Sequence, residues 1–310
     1  MTDQTTSSIA HDGQQDCELK LTHFGAAGWS ITDGQTVILL DPYLSRIRFT
    51  GRRFGPHDAT VVPGDERPVV SMDDVPPIDT ATIDANIPHA DYLLLSHSHF
   101  NHCMDVPYIA KRTGAVVIGS ESTMNVAMNG GVPEEQTIAV KGGEDFTFEQ
   151  FSLRVVPSLH SALSCKLYRD FGIVPNSDTP LPLNDYVEGG TLAYLLRFAG
   201  QEILLFGSMN YIEREVEGLC PDIALIASAP PRLEITDYTA RLLRCIGLPK
   251  FVIATHWDDQ GLPYGAPQDA AMAHTGSFVD EVLAVAPDTT VVVPAHFQTL
   301  SITASGLVQA

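Results

Sequence analysis

The segment LLLSHSHFNHCMD, residues 93–105, contains three histidines, His97, His99 and His102, directly after an apolar run. The run predicts a buried strand that ends at Ser96, followed by a loop and then by a helix. Ligands commonly bind at this end of the strands in sheet-containing enzymes. Because His97 and His99 are two positions apart, their imidazoles point the same way on an extended chain. The segment therefore predicts a histidine cluster at a sheet edge.

Two further histidines also follow predicted strands. His160 comes after FSLRVVP, and His256 ends the segment KFVIATH. A lone histidine at such a place is equally consistent with a capped or core side chain, and the first three alone with a solvated loop. Neutral imidazole is, however, a good ligand for Zn²⁺ and also binds iron or manganese. Five histidines at strand ends favour metal binding, and the predicted ligands are His97, His99, His160, His102 and His256.

Composition indicates a soluble globular protein. The chain has 310 residues, of which 44% are apolar, and no uncharged apolar run reaches the length of a membrane span. Residues 1–17 lack the basic start and apolar core of a signal peptide, so we expect a disordered polar tail and a cytoplasmic protein. Residues 18–310 show no composition break and predict one domain.

The charge balance limits the partners. Asp and Glu number 38 against 18 Lys and Arg, a formal net charge of −20. Such a surface repels phosphate backbones and anionic lipids, so we expect neither a nucleic-acid partner nor a membrane partner. We expect a small-molecule substrate, for which an anion is one possibility, and a homo-oligomer stays possible.

Apolar and β-branched runs bounded by turn residues predict many strands, with helices between some of them. Hairpins come first and strand–helix alternations follow in each half of the chain, which favours two sheets packed face to face with helices outside. Two irregular stretches, 44–88 and 161–188, are expected to cover a cleft or to be linkers. The predicted strands are 18–24, 35–41, 90–96, 115–120, 136–140, 146–157, 189–198, 201–207, 222–228, 250–256, 289–295 and 299–304. The predicted helices are 104–113, 121–129, 211–218, 233–246 and 267–285.

From about residue 18 to residue 300, the chain resembles the metallo-β-lactamase superfamily. Its members carry H-x-H-x-D-H after a strand, a later His, a Gly-Asp and a final His, and their first hairpins end in Asp-Pro. The matching residues here are His97 to His102, His160, Gly207-Ser208, His256 and Asp41-Pro42. The resemblance implies an α+β fold, a four-layer αββα sandwich of two mixed sheets with outer helices, and metal-dependent hydrolysis. HSHFNHCMD is most similar to the branch with ascorbate-6-phosphate lactonase and N-acylphosphatidylethanolamine-hydrolysing phospholipase D.

Two residues depart from the superfamily pattern. Asn101 and Ser208 stand where the resemblance expects the carboxylates that hold a second metal ion. The first site, formed by His97, His99 and His160, keeps its full ligand set. Three neutral imidazoles leave the full charge on a zinc ion, which lowers the pKa of bound water to about 7. We therefore predict one firmly bound Zn²⁺, with Fe or Mn possible, and a second ion that is weak or absent.

Other residues are candidates for supporting roles. Asp258 and the substituted positions Asn101 and Ser208 are predicted to take part in catalysis, and proton transfer is assigned to Asp258. Asp41 and Asp105 are expected to fix ligand histidines by hydrogen bonds. The loop RIRFTGRR, with Arg48, Arg52 and Arg53, either captures an anionic group or makes surface salt bridges. Aromatic residues expected to line an apolar pocket are Phe54, Tyr168, Phe171 and Tyr186.

These expectations lead to a metal-dependent hydrolase that cleaves a small ester, lactone, amide or phosphoester. Two alternatives remain open from the sequence. One is a non-catalytic or degenerate metal-binding member of the fold, and the other is a mononuclear-iron redox enzyme.

Overall fold

The computed structural model describes residues 18–52, 56–57, 62–162, 166, 170–303 and 306–309. The predicted tail, residues 1–17, lies outside the described residues, and so do Phe54, Tyr168 and Arg53. The prediction that residues 18–310 form one domain stays a prediction.

The strands follow the apolar runs of the sequence closely. In the first half of the chain they are β1 (Leu19–Gly25), β2 (Gly28–Thr32), β3 (Val37–Leu40), β4 (Arg48–Arg52), β5 (Pro56–His57), β6 (Val69–Ser71), β7 (Tyr92–Leu94), β8 (Val116–Gly119) and β9 (Thr137–Ala139). The second half adds β10 (Asp145–Thr147), β11 (Phe151–Pro157), β12 (Leu192–Phe198), β13 (Gln201–Phe206), β14 (Ile223–Ala227), β15 (Phe251–Thr255), β16 (Thr290–Val292), β17 (Thr299–Thr303) and β18 (Gly306–Gln309).

The helices lie between strands of the parallel parts of the sheets. They are α1 (Thr80–Asn86), α2 (Phe100–Cys103), α3 (Val106–Thr113), α4 (Glu121–Asn129), α5 (Glu213–Val216), α6 (Tyr238–Cys245) and α7 (Asp269–Val285). Short 3-10 helices cover Glu134–Gln136, Leu183–Asp185 and Pro230–Glu234. Among the described residues, no helix combines the length and the apolar character needed to cross a membrane.

Two mixed sheets form the centre of the fold. Within the described ranges, the first sheet has eight strands in the order β18-β17-β1-β2-β3-β7-β8-β9, and the second has seven in the order β10 to β16. Hairpin-connected strands are antiparallel, whereas β7 to β9 and β14 to β16, which follow helical or long connections, are parallel. The order confirms the predicted α+β architecture.

Alternate residues of one strand contribute to different layers of the core. In β3, Ile38 and Leu40 pack between the sheets, whereas Leu39 packs on the side that carries α1, α3 and α4. In β13, Leu205 faces the other sheet, whereas Leu204 joins the cluster that includes α6 and α7. Both faces of these strands are therefore buried, which explains why they are apolar throughout instead of alternating.

Several sequence predictions of secondary structure need correction, and β2 (Gly28–Thr32) is missing from the predicted strands. The stretch 44–88 is not irregular, because it contains β4 and β6, which pair in parallel, and the helix α1. The strand predicted over 146–157 is a hairpin of β10 and β11. The error over 44–88 has a physical cause, since these strands are only three to five residues long and form a small separate sheet.

Candidate metal centre

Five histidines lie where strands of the two sheets end. His97 and His99 follow β7, and His102 lies in the short helix α2. His160 follows β11 and His256 follows β15, so the second sheet contributes from the opposite side. Because the sheets pack face to face, loops at the same end of both converge on one cavity.

The structure brings three of these side chains into one group. One nitrogen from each of His97, His99 and His160 lies within 4.8 Å of the other two. Their ring centroids are 4.7 to 4.9 Å apart. His102 and His256 lie beside the group, with the centroid of the His102 ring 3.8 Å from that of His97 and 5.3 Å from that of His256.

Hydrogen bonds from His97 to Ser96 and from His102 to Asp41 fix the tautomers of the two histidines. The Ser96 hydroxyl donates to Asp41 Oδ2 at 2.5 Å, so its oxygen accepts from His97 Nδ1 at 3.0 Å. Asp41 Oδ2 also accepts from His102 Nδ1 at 2.9 Å. Both rings therefore carry their proton on Nδ1 and present the lone pair of Nε2. Asp41 therefore accepts a hydrogen bond from His102, which is the kind of contact that the sequence analysis expects of it.

Acceptors also fix the tautomers of His99 and His160. His99 Nε2 donates to Asp170 Oδ2 at 2.9 Å, which leaves the lone pair on Nδ1. His160 Nδ1 donates to the Ser161 carbonyl at 3.0 Å, which leaves the lone pair on Nε2. Sequence reasoning missed Asp170, because it lies 71 positions from His99 in an irregular stretch and no spacing connects the two.

The nitrogen atoms of this group fit a metal ion. His97 Nε2 is buried and has no hydrogen-bond partner among the described residues, an arrangement that is costly unless a ligand occupies it. Burial lowers the pKa of His97 and His160 well below the usual 6.5, and repulsion between the neighbouring histidines lowers it further. Neutral imidazoles with lone pairs directed inward are the form that binds metals.

His256 has a different environment from the other four. Its ring nitrogens face two side-chain amides, with Gln260 Nε2 3.2 Å from Nδ1 and Asn101 Nδ2 3.4 Å from Nε2. Burial lowers the pKa of His256 to about 3, and repulsion from His102 contributes. The neutral amide of Asn101 thus lies next to His256 where the resemblance expects a carboxylate.

Ser208 and its neighbour Gly207 support the group from the second sheet. Ser208 Oγ accepts from the Ser161 backbone N–H at 2.9 Å, so it holds the loop that carries His160. Gly207 lies against the other supporting pair, because a Cβ there would overlap Ser96 Oγ and Asp41 Oδ2. Only glycine permits this close approach.

Asp258 is buried in an ion pair and does not have the environment predicted for a proton-transfer group. Oδ2 accepts from Arg46 at 2.6 Å and from His296 at 2.8 Å, and Oδ1 accepts from the Ala26 N–H at 2.8 Å. Burial alone would raise its pKa, but the His296 hydrogen bond and the Arg46 charge together lower it well below the usual range. A carboxylate held in this way is a weak base, so these contacts argue against the predicted role.

The structure also corrects the role predicted for Asp105. Its carboxylate accepts from the backbone N–H groups of Leu44 and Ser45 at 2.6 and 2.9 Å and from the Ser45 hydroxyl at 2.5 Å. These partners belong to the loop after β3, so Asp105 holds that loop and does not orient a histidine.

Arg48 does not face the cavity as the prediction of anion capture requires. Its guanidinium donates to the carbonyls of Asp65 and Arg67 at 3.1 and 3.0 Å and lies 3.5 Å from the Asp65 carboxylate. The side chain of Arg52 and the whole of Arg53 lie outside the described residues. Arg48 thus makes a salt bridge, as the alternative expects, but the pair with Asp65 is largely buried and does not lie on the surface.

Several residues around the centre have a left-handed backbone. φ is 41° at Asp41, 41° at Arg46, 82° at Asp170 and 50° at His256. Aspartate tolerates this region, but arginine and histidine adopt it at a cost of about 1–3 kcal/mol. Such residues concentrate at functional sites, where the surrounding contacts hold them in place.

A cavity of about 330 Å³ opens above the histidines. It borders His99, His102, His160 and His256, and its other walls come from the loop after β3, from β4 and α2, and from the loops after β13, β14 and β15. Of the aromatic residues predicted to line an apolar pocket, Phe171 is 74% exposed and Tyr186 is packed in the core, and neither borders this cavity.

Comparison with known families agrees with this geometry. A family model described as a beta-lactamase superfamily domain matches residues 20–227, which is more than half of the 310-residue chain. The chain belongs to the metallo-β-lactamase superfamily. The segment His97 to His102, directly after β7, lies where the sequence resemblance implies the first metal ligands, with Asn101 in place of the Asp of the pattern.

Curated relatives share part of this superfamily domain. A protein of Heliobacterium modesticaldum named a metal-dependent hydrolase is 31% identical over 144 residues, 46% of this chain and 46% of its own length. A protein of Oenococcus oeni with the same name is 28% identical over 146 residues, 46% of this chain and 50% of its own length. The matches span about half the length of these relatives.

Solved structures share the fold across most of the chain. A metallo hydrolase from Ignicoccus hospitalis, Igni18, superposes with a TM-score of 0.55 at 15% identity, covering 92% of this chain and 98% of its own. At these identities the likeness shows the fold alone, and one fold hosts many chemistries.

Proposed function

We propose that this protein is a metal-dependent hydrolase that uses one firmly bound divalent ion, held by His97, His99 and His160. Its substrate is a small molecule with an ester, lactone, amide or phosphoester bond. The enzyme acts in the cytoplasm. Zinc is the ion that suits three neutral imidazoles best, with iron or manganese as alternatives. Within the superfamily, we propose the branch with ascorbate-6-phosphate lactonase and N-acylphosphatidylethanolamine-hydrolysing phospholipase D, with Asn101 and Ser208 replacing two carboxylates.

One observation carries this proposal. The Nε2 atom of His97 is buried without a described partner, in a group whose tautomers are fixed so that lone pairs converge. An ion held there would supply a Lewis acid that lowers the pKa of water to about 7. The relatives named metal-dependent hydrolases support the reaction class.

The chain's own residues prepare the site. Asp170, the Ser161 carbonyl and the Ser96 hydroxyl hold three imidazole rings in the tautomers that bind a metal. Asn101 and Gln260 bring amide N–H donors into the cavity, which suit a carbonyl or phosphoryl oxygen of a substrate. Ser208 adds a hydroxyl beside His160.

Hydrolysis assays test the proposal. Purified protein is incubated with generic ester, lactone and phosphodiester probes, with and without a chelator, and turnover is measured. We expect turnover of at least one probe, its loss with chelator, and its return when Zn²⁺ is added. The variant His97→Ala should be inactive, whereas His274→Ala, an exposed histidine of α7, should behave as the wild type. Turnover that is insensitive to the chelator would contradict the mechanism.

The alternative of a non-catalytic metal-binding protein is favoured by one observation. Asp258 is held in an ion pair, so the described cavity carries no carboxylate with the environment of a proton-transfer group except the exposed Asp259. The double variant Asn101→Asp with Ser208→Asp separates the two functions. A catalytic protein should bind a second ion and change its rate, whereas a non-catalytic protein should bind a second ion without gaining turnover.

A further inference from the structure

We propose that the substrate of this site is a neutral molecule with an apolar group, about the size of one ring and a short linker, next to the bond that is cleaved. This inference rests on the proposed hydrolase function and adds the substrate class. It differs from the sequence prediction of anion capture by the arginine loop.

An apolar wall faces the histidines across the cavity. It is formed by Tyr43 and Ile47 from the loop after β3, by Phe49 from β4 and by Phe100 from α2. The Phe100 ring makes edge contacts with Tyr43 at 6.0 Å and with Phe49 at 5.3 Å between centroids, so the aromatic rings form one continuous surface. Phe100 follows His99 directly in the chain, which places this surface next to the metal ligands.

Further apolar residues also border the cavity. These are Met209, next to Ser208, and Ala229 and Pro231, after β14. An apolar cavity of about 150 Å³ holds benzene, so a cavity of 330 Å³ has room for a ring with a few additional atoms. Apolar walls with a few convergent polar groups are typical of small-molecule sites.

Positive charge in this region is neutralised. The cavity lining that the structure describes includes no lysine and no arginine. The nearby Arg46 donates to Asp258 Oδ2, to the Leu262 carbonyl at 2.8 Å and to the Asp259 carbonyl at 2.5 Å.

The charge that remains on the described lining is negative. Asp258 is neutralised by Arg46, which leaves the exposed carboxylate of Asp259. A phosphate or carboxylate on the substrate would lose its hydration there without gaining a described cationic partner from the protein. The walls therefore favour a neutral apolar group over an anionic one.

A substrate series tests this inference. The esters share one leaving group and carry acetyl, butanoyl, pentanoyl or hemisuccinyl groups, the last being an anion of about the same length as pentanoyl. We expect kcat/KM to rise by up to about fourfold for each added methylene. The kcat/KM of the hemisuccinate should be at least tenfold lower than that of the pentanoate. A flat series, or a faster hemisuccinate, would overturn the inference and would favour anion capture.

A binding measurement does not depend on turnover. Calorimetry with the zinc-loaded protein compares 4-phenylbutan-1-ol with butane-1,4-diol, which has the same linker without the ring. We expect the phenyl compound to bind at least tenfold more tightly. Equal binding of the two, or binding of neither, would overturn the inference.

Two variants locate the effect. Phe49→Ala should remove most of the preference for the phenyl compound, whereas Phe148→Ala, a half-buried phenylalanine before β11, should keep it. Phe148 is a matched control because it packs on Tyr92 and Phe151, far from the strand ends that carry the histidines. Ile47→Ala provides a second test if Phe49→Ala does not fold. A preference that both Phe49→Ala and Ile47→Ala keep would overturn the assignment to this wall.

The outcomes separate this inference from the proposed function. If esters are cleaved without an apolar preference, the hydrolase function stands and the substrate class is wrong. If none of the ester, lactone and phosphodiester probes is cleaved but the phenyl compound binds through Phe49, the cavity is apolar as inferred and the hydrolase function is wrong.

Discussion

The guanidinium of Arg46 and the carboxylate of Asp258 form a buried ion pair with an N···O distance of 2.6 Å. The pair joins the loop after β3, which carries the apolar wall, to the loop after β15, which carries His256. Arg46 also donates to the carbonyls of Leu262 and Asp259. The two sides of the cavity are thus held together by one side chain.

Removing this side chain should destabilise the fold. Arg46→Met leaves Asp258 buried without its charged partner, and breaking a buried pair in this way costs about 3–5 kcal/mol of unfolding free energy. Urea denaturation measures the loss. Arg214→Met removes an exposed pair with Glu215 and should cost less than about 1 kcal/mol. Equal losses of unfolding free energy in the two variants would show that the buried pair contributes no more to stability than an exposed pair.

The hydrogen bond from His99 to Asp170 should support metal affinity. Asp170→Asn replaces the charged acceptor of the His99 Nε2 proton, and losing such a partner typically weakens metal binding about 10–100-fold. Competition with a fluorescent zinc chelator measures the affinity. Asp178→Asn, an exposed aspartate of the same stretch, is the control and should bind zinc as the wild type does. An unchanged affinity for Asp170→Asn would remove this residue from the site.

Gly207 should be required for the pair of Asp41 and Ser96. In Gly207→Ala the added methyl group would overlap both side chains, which would shift Asp41 away from His102 and Ser96 away from His97. We expect lower zinc affinity, measured by calorimetry, together with lower stability. Gly276→Ala is the matched control, because nothing lies within 4 Å of its added methyl group in α7 and alanine favours a helix by about 1 kcal/mol. Normal zinc binding by Gly207→Ala would contradict the packing argument.

His23 should make the stability depend on pH. Burial lowers its pKa from 6.5 to about 4, with the neighbouring His296 adding to the shift and the Asp258 charge opposing it. The unfolded chain therefore takes up a proton below pH 6.5 that the folded chain takes up only near pH 4. The contribution of His23 to the free energy of unfolding is complete above pH 6.5. It is lost as the pH falls towards 4, by up to about 1.4 kcal/mol per pH unit.

Replacing His23 tests this linkage. His23→Gln removes the titrating group, so the unfolding free energy of the metal-free protein should fall less steeply between pH 6.5 and pH 4. Urea denaturation at a series of pH values gives both slopes. A variant with the same slope as the wild type would show that His23 takes up its proton equally in both states.

The sheets and the histidines at their edge could be predicted from the sequence. Apolar runs such as 92–95 and 251–254 identify buried strands, because a strand covered on both faces is apolar throughout. Histidines directly after these runs lie at the cavity, because parallel strands end together.

The support of the site could not be predicted in the same way. The contacts of Asp170, Arg46 and Gln260 join loops that are distant in sequence, and tertiary packing alone decides which of these loops meet. Asp258 and Asp105 show the same limit, since their neighbours in sequence suggested roles that their spatial partners do not support.

The most direct test of the metal centre is the metal content per chain, measured by mass spectrometry after incubation with excess zinc and removal of free ion. We expect one tightly held ion for the wild type and for His89→Ala, an exposed histidine beside Asp91, and none for His97→Ala with His160→Ala. A wild type that retains no ion under these conditions, or a double variant that retains as much as the wild type, would contradict the proposed centre.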